Sequence, residues 1–203
     1  MLGEAQVALT RDRSVDEYRA VIESTAAECE RLSGIIDNLL FLARAESAEH
    51  QITRSSFTAS TAVKKIVSFY ETLAEDQRIE ISCSGDAEVF ADPVLFNRAI
   101  TNLLDNALRF TTENGTVKIS ISALRGKAQI SVTDNGRGIA PEHLPRVFDR
   151  FYRADSSRSS EGTGLGLAFV KSIADLHGGS AKIESRMGHG TTVTLTFPGT
   201  SEA

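Results

Sequence analysis

The sequence predicts an α+β protein in which helices pack on one face of a mixed or antiparallel sheet, behind one long helix. Two observations carry that expectation. From Ser14 to Ala45 there is no proline and a single glycine, and apolar residues recur at helical spacing. Beyond residue 57 amphipathic helical stretches and short runs of alternating apolar and polar residues follow one another, which calls for helices laid on a sheet. The composition narrows the class. The 203 residues include 22 Lys or Arg and 27 Asp or Glu, for a net charge of −5, which excludes a coat of phosphate-neutralising cations for nucleic acid. Cys29 and Cys83 fit neither a metal-ligand spacing nor a disulfide framework and point to a reducing compartment. The longest apolar run, Leu39 to Ala43, is far short of the roughly 18 residues a membrane span needs. Met1-Leu2-Gly3-Glu4 opens no signal peptide. The expectation is a soluble, cytoplasmic chain of one and a half domains.

The long helix is justified first. Ile22, Thr25, Cys29, Leu32, Ile36, Leu39 and Ala43 form a heptad seam, widened by Val21, Ile35 and Leu42. Ser14 and Glu17 have the spacing of a capping box, so the helix starts near Val15. The polar link Thr10 to Arg13 separates it from a helical stub, Met1 to Leu9, which makes a lopsided hairpin. Glu46 to Ser56 is polar and reads as a linker or a fraying helix end. Val63, Ile66, Val67, Tyr70, Leu73 and Ala74 mark an amphipathic helix, and Ile79, Ile81 and Cys83 a strand. Asp92-Pro93 supplies an N-cap and an N1 proline for a helix to Phe110. Val117 to Leu124 and Ala128 to Thr133 flank Arg125-Gly126-Lys127 as a hairpin. Pro141 to Phe151 reads as a short helix. Asp155 to Gly164 is a loop, Leu165 to Leu176 a helix closed by Gly178-Gly179, and two strands end the chain.

The helix from Asp92 to Phe110 has an unusual polar side. At 100° per residue Arg98, Asn102, Asn106 and Arg109 share an arc of about 80°, opposite Phe96, Ala99, Ile100, Leu103 and Ala107. Asparagine is a poor helix former and solvates a surface without charge. Its amide oxygen can ligate a hard cation, and its amide N–H₂ can donate to a phosphate. By itself the stripe reads more readily as a solvated helix face than as a site. Asp134-Asn135-Gly136-Arg137-Gly138-Ile139 ends a strand, where an acceptor-only carboxylate suits an exocyclic amine; alone it is also an ordinary turn. Gly162-Thr163-Gly164-Leu165-Gly166-Leu167 opens a helix whose first N–H groups could cradle phosphate. Neither the dinucleotide fingerprint nor a P-loop is present.

Together these residues carry a resemblance. Asn102-Leu103-Leu104-Asp105-Asn106-Ala107-Leu108-Arg109-Phe110 resembles the N box of bacterial sensor histidine kinases, and Asp134 to Ile139 is similar to their G1 box. Phe148 to Arg153 resembles the F box, Gly162 to Leu167 the G2 box, and Gly190-Thr191 the final Gly-Thr element. Leu9 to Ser14 with Glu17-Tyr18, and Arg31-Leu32 through Ala45, resemble the dimerisation hairpin. With His143 to Arg153 they are similar to the heavy-metal branch typified by copper and silver sensor kinases. The resemblance implies a two-layer α/β sandwich of the GHKL or Bergerat type, shared with gyrase and the Hsp90 chaperone. It implies residues 1–47 as a partial dimerisation hairpin, 48–56 as a linker and 57–203 as an ATP-binding domain.

The implied ligands are ATP and Mg²⁺. Asn106 would hold the Mg²⁺ that bridges the phosphates, with Asn102 one turn earlier as its catalytic neighbour. Arg109 would meet phosphate, and Phe110 stands where the family often has Tyr. Asp134 would take the adenine amine, in a pocket shaped by Gly136, Gly138, Ile139 and Thr191. Tyr152 and Arg153 would stand at the base of a lid, hinged and lined with N–H donors by Gly162, Thr163, Gly164, Leu165, Gly166 and Leu167. The family's acceptor His lies in a motif that none of His50, His143, His177 or His189 matches. The expectation is a cytoplasmic fragment that starts just after that motif, unable to autophosphorylate, from a parent in the bacterial inner membrane. Implied partners are a second copy through the N-terminal helices and the receiver domain of a response regulator, with no nucleic acid. A GHKL-type ATPase switch and a non-catalytic ATP-binding module are the competing classes. Asn102 separates out the first, because hydrolytic relatives place a Glu there and an amide cannot accept a proton. Intact N, G1 and G2 boxes separate out the second.

Overall fold

The structure, a computed structural model, describes residues 14–45, 52–154 and 163–199. The stub and link before Ser14, His50 and Gly162 lie outside the described residues. The chain divides into two compact units between Glu46 and Ser47.

The first unit contains α1, Val15–Ala45. Its start is the expected capping box: Ser14 Oγ accepts the Glu17 N–H at 3.2 Å, and Glu17 Oε2 accepts the Ser14 N–H at 2.8 Å. The seam read from the sequence is only partly covered. Ile22, Leu32 and Ile36 are 67%, 42% and 56% exposed, whereas Val21, Thr25, Ile35 and Leu39 are half-buried. The covered stripe therefore runs along the flank that Val21, Ile35 and Leu42 were expected merely to widen.

The second unit is a two-layer α/β sandwich. Its main sheet contains β2 (Glu80–Gly85), β4 (Thr116–Leu124), β5 (Lys127–Asp134), β6 (Ser180–Arg186) and β7 (Gly190–Pro198), in the order β2-β4-β5-β7-β6. Only the β2–β4 pair is parallel. Alternation places Val117, Ile119 and Ile121 of β4, Ala128, Ile130 and Val132 of β5, and Val193, Leu195 and Phe197 of β7 on the buried face. The other face carries hydroxyl pairs, Ser131 with Thr194 and Thr133 with Thr192. On the buried face lie α2 (Ala59–Asp76), α3 (Pro93–Phe110) and α4 (Gly166–Leu176). Phe96, Ile100, Leu103 and Leu104 of α3 and Phe169 and Ile173 of α4 are at most 2% exposed, so these two helices anchor the core. Asp92 caps α3 as expected, its carboxylate accepting the N–H groups of Val94 and Leu95 at 2.9 and 3.1 Å.

Three local readings are corrected. Ser55 and Ser56, polar enough to read as linker, belong to β1 (Ser55–Thr58), which pairs antiparallel with β3 (Glu88–Ala91). The hairpin turn holds two residues rather than three: Arg125 and Gly126 have φ of 52° and 75°, and Lys127 already pairs with Leu124. Residues 141–151 form no α-helix. Leu144–Arg146 is a 3₁₀ turn, and the N–H groups of Leu144, Arg146, Asp149 and Tyr152 each bond the carbonyl three residues back. Pro145 has no N–H to offer the Pro141 carbonyl, so an α-helical register loses its bond there.

Candidate functional site

Alternation along β5 decides the position of Asp134. It is the next inward-facing residue after Ala128, Ile130 and Val132, and it is 9% exposed at the strand end. Its Oδ1 accepts the N–H of Gly136 at 2.9 Å and of Thr191 at 3.2 Å. Among the described residues no hydrogen bond reaches Oδ2, so a half-satisfied carboxylate is held ready for a donor. Burial pushes its pKa up, and the backbone N–H groups of Gly136, Thr191 and Asp134 itself pull against that shift.

Glycine is required around this carboxylate by close backbone approach. A Cβ on Gly136 would lie 2.1 Å from the Phe110 carbonyl oxygen, and Gly138, at φ +69°, would meet the Arg186 carbonyl oxygen at the same distance. The loop is thereby pressed against the end of α3, where the Arg137 N–H bonds the Phe110 carbonyl at 3.2 Å. The Arg137 guanidinium covers the Phe110 ring, 4.5 Å from its centroid. The Ile139 N–H donates to Ser185 Oγ at 2.8 Å. Asp134, Gly136, Gly138, Ile139 and Thr191 are thus brought together, with Phe110 as the wall behind the loop.

The second group lies along the same helix. Asn102 Nδ2 donates to the Arg98 carbonyl at 2.8 Å, which turns its Oδ1 toward the start of α4. A Cβ on Gly166 would meet Asn102 Oδ1 at 3.1 Å and Asn106 Nδ2 at 3.6 Å, so the N and G2 segments touch at this glycine. The first turn of α4 has no side-chain cap at Leu165, and its backbone donors stay available to an anion. Arg98 lies 4.6 Å over the Phe169 ring and ties α3 to α4 just before the two asparagines. From Asn102 to Phe110 the helix rises about 12 Å, so the amide pair and the carboxylate loop occupy successive turns of one element. Leu165 is buried, Thr163 and Leu167 are half-buried, and Arg109 and Arg153 are exposed.

Tyr152 is held from two sides: its hydroxyl is 2.7 Å from His143 Nδ1 and the Arg146 guanidinium is 4.4 Å over its ring. Gly164, at φ +70°, packs so closely against the Phe151 backbone that a Cβ would come within 2.7 Å. The two ends of the loop from Phe151 to Gly164 therefore meet. Among the described residues no cluster of three or more His, Cys, Asp or Glu side chains could hold a metal. Asn102 Oδ1 and the Asn106 amide beside an uncapped helix would suit a hard cation that keeps most of its own ligands.

Ser185 escaped sequence reasoning, and His177, read from the sequence as no phosphate acceptor, has a definite structural role. Ser185 joins the Asp134 loop to β7, and nothing in the run Ile183-Glu184-Ser185 marks it. His177 is 0% exposed; its Nδ1 donates to the Ile173 carbonyl at 2.7 Å and its Nε2 accepts the Asp92 N–H at 2.9 Å. Burial lowers its pKa, which keeps the ring neutral in that tautomer. The ring ties the end of α4 to the cap of α3, a structural role.

The chain is similar to known proteins along its sequence and its fold. Residues 91–201 match the family described as histidine kinase-, DNA gyrase B-, and HSP90-like ATPase. The sensor protein IrlS of Burkholderia pseudomallei is 44% identical over 200 residues, covering 98% of this chain and 43% of the relative. The sensor histidine kinase CusS of Escherichia coli K12 is 38% identical over 201 residues, covering 98% and 42%. The chain thus spans well under half the length of these curated relatives. The crystal structure of full-length ShkA in complex with AMPPNP superposes with a TM-score of 0.79 at 25% identity, over 97% of this chain and 42% of that one. With Asp134, Gly136, Gly138, Gly166 and Thr191 inside the matched segment and the sandwich fold in place, the chain belongs to the histidine kinase-, DNA gyrase B- and HSP90-like ATPase family.

Proposed function

We propose that this chain is the ATP-binding catalytic core of a sensor histidine kinase of the heavy-metal branch, with the nucleotide domain running on from β1 at Ser55 and residues 1–47 as its dimerisation part. The observation that carries the reading is the meeting of Gly166 with Asn102 and Asn106 at the uncapped start of α4, one helix away from a buried carboxylate with a spare acceptor. Asp134 Oδ2 takes the exocyclic amine of adenine. The α4 N-terminus, with Arg109 and Arg153, takes the phosphates. Asn106, with Asn102 beside it, would hold Mg²⁺, which when bound would supply charge neutralisation at the phosphates. Phosphoryl transfer asks mainly for positioning and charge neutralisation, and these groups supply both. Asn102 cannot deprotonate water, so the γ-phosphoryl group goes to an imidazole on a dimerisation helix and from there to an aspartate of a response regulator.

His177 is excluded as the acceptor, since both of its ring nitrogens are engaged and buried, and His143 is tied to Tyr152. The chain alone is therefore expected to bind γ-labelled ATP without acquiring label, and to label an added helical fragment that carries an acceptor histidine. Stable acid-labile, base-resistant label on the chain alone would overturn this. The exposed Ile22, Leu32 and Ile36 of α1 are the surface through which two copies associate in this reading.

A further inference from the structure

Ser185 and Thr191 are directly opposed in the β6–β7 pair. Ser185 Oγ lies 2.8 Å from the Gly190 carbonyl oxygen, 2.8 Å from the Ile139 nitrogen and 2.9 Å from Thr191 Oγ1. A hydroxyl has one proton and two lone pairs. The carbonyl can only accept and the amide can only donate, so Ser185 gives its proton to Gly190 and one lone pair to Ile139. The remaining lone pair takes the proton of Thr191. Thr191 Oγ1 is thereby left with lone pairs alone for any other partner. Its own N–H is already committed to Asp134 Oδ1 at 3.2 Å.

From this we propose that Ser185 is a specificity-determining, positioning residue of the nucleotide site, resting on the ATP reading above. By consuming the Thr191 proton it makes the Thr191 hydroxyl an acceptor only, beside the ionised Asp134 carboxylate, which is an acceptor by its own chemistry. Such a wall suits a purine with an amine at position 6 and repels one with a carbonyl there. Through Ile139 the same oxygen also holds the Gly136–Gly138 loop to β6, so the arrangement exists before nucleotide arrives. Ser185 touches no nucleotide in this account; it acts through Thr191 and Ile139.

The test measures ATP and GTP affinity by calorimetry for the wild type, Ser185→Ala and Ser185→Thr, with amide exchange at Ile139 read without nucleotide. Ser185→Ala is expected to weaken ATP binding about tenfold, from the loss of one to two net hydrogen bonds, and to weaken GTP binding less. Its Ile139 N–H should exchange faster, and Ser185→Thr, which keeps the hydroxyl, should restore both readouts. A parallel loss for the two nucleotides would reduce Ser185 to a structural role and overturn the proposal, as would unchanged affinities. Asp134→Asn leaves the Ser185 bonds in place and reports on the ATP reading alone. A wild type that binds neither nucleotide would overturn that reading, and the specificity role with it, even if Ile139 exchange responds.

Discussion

The two ends of the candidate site are built on opposite plans. Around Asp134 most polar groups are committed: Gly136, Thr191, Ile139 and Ser185 form a connected set of bonds, which leaves Asp134 Oδ2 and the lone pairs of Thr191 Oγ1 as acceptors. Around Asn106 the bonds stay local to each segment: Asn102 donates to the Arg98 carbonyl, Thr163 Oγ1 accepts the Leu165 N–H at 3.3 Å, and the helix start has no side-chain cap. On the nucleotide reading proposed above, the difference suits the ligands. A base has a fixed edge that a rigid wall can read before it arrives. A triphosphate brings its own charge and waters, and the backbone donors of a helix start suit it.

Substitutions at each end can break or sharpen this contrast. The largest effect is expected at the committed end. Asp134→Asn places an N–H₂ or a neutral oxygen where the amine needs a full acceptor, and ATP affinity should fall at least about a hundredfold, in line with sites that leave a buried polar partner unmatched. The fold should not suffer. The Asp134 pKa is raised in the folded state, so its charge costs stability as pH rises through that pKa. At neutral pH the variant should melt at the wild-type temperature or higher. A simultaneous loss of binding and of fold would show that the carboxylate is structural.

His177→Leu tests the far ends of the helices that carry both halves. It leaves the Asp92 N–H without its acceptor, at a cost of about 1–3 kcal/mol in denaturant unfolding. In the wild type the depressed His177 pKa means that its contribution is complete above about pH 6.5 and declines as pH falls below that value. The variant should lack this component of the acid slope, and an identical slope would break the assignment. Asn106→Ala is expected to be mildest, weakening ATP binding about tenfold in Mg²⁺, near 1.4 kcal/mol, and hardly at all when the metal is chelated. Equal losses with and without the metal would make Asn106 a phosphate donor rather than a cation ligand.

Much of this site was legible because its parts are local. The Asp92 cap, the asparagine stripe and the loop from Asp134 to Ile139 each lie within a few turns of chain, where spacing and residue type carry the signal. Gly136 could be named from its turn, but the Phe110 carbonyl that forbids a side chain there is 26 positions away. The segment 141–151 was misread for a different reason: its apolar spacing suits a helix, and Pro145 overrides it. Ser55 and Ser56 were hidden because an edge strand whose partners, Ala91 and Phe90, are 36 and 34 residues distant has no local pattern beyond polarity.

The sequence by itself determined the class of the fold, the helices that carry the site and the chemical types placed on them. It also determined the net acidity that a focused nucleotide site tolerates, because the relevant cations and helix dipole act over a few ångströms and not over the whole surface. Tertiary structure alone decided which oxygen of Asp134 is spent, that Gly166 seats against two asparagines, and that Ser185 takes the proton of Thr191. Those outcomes depend on atoms brought within about 3 Å by pairing strands and packing helices. A linear pattern names the donors and acceptors, while the geometry of the folded chain chooses their partners.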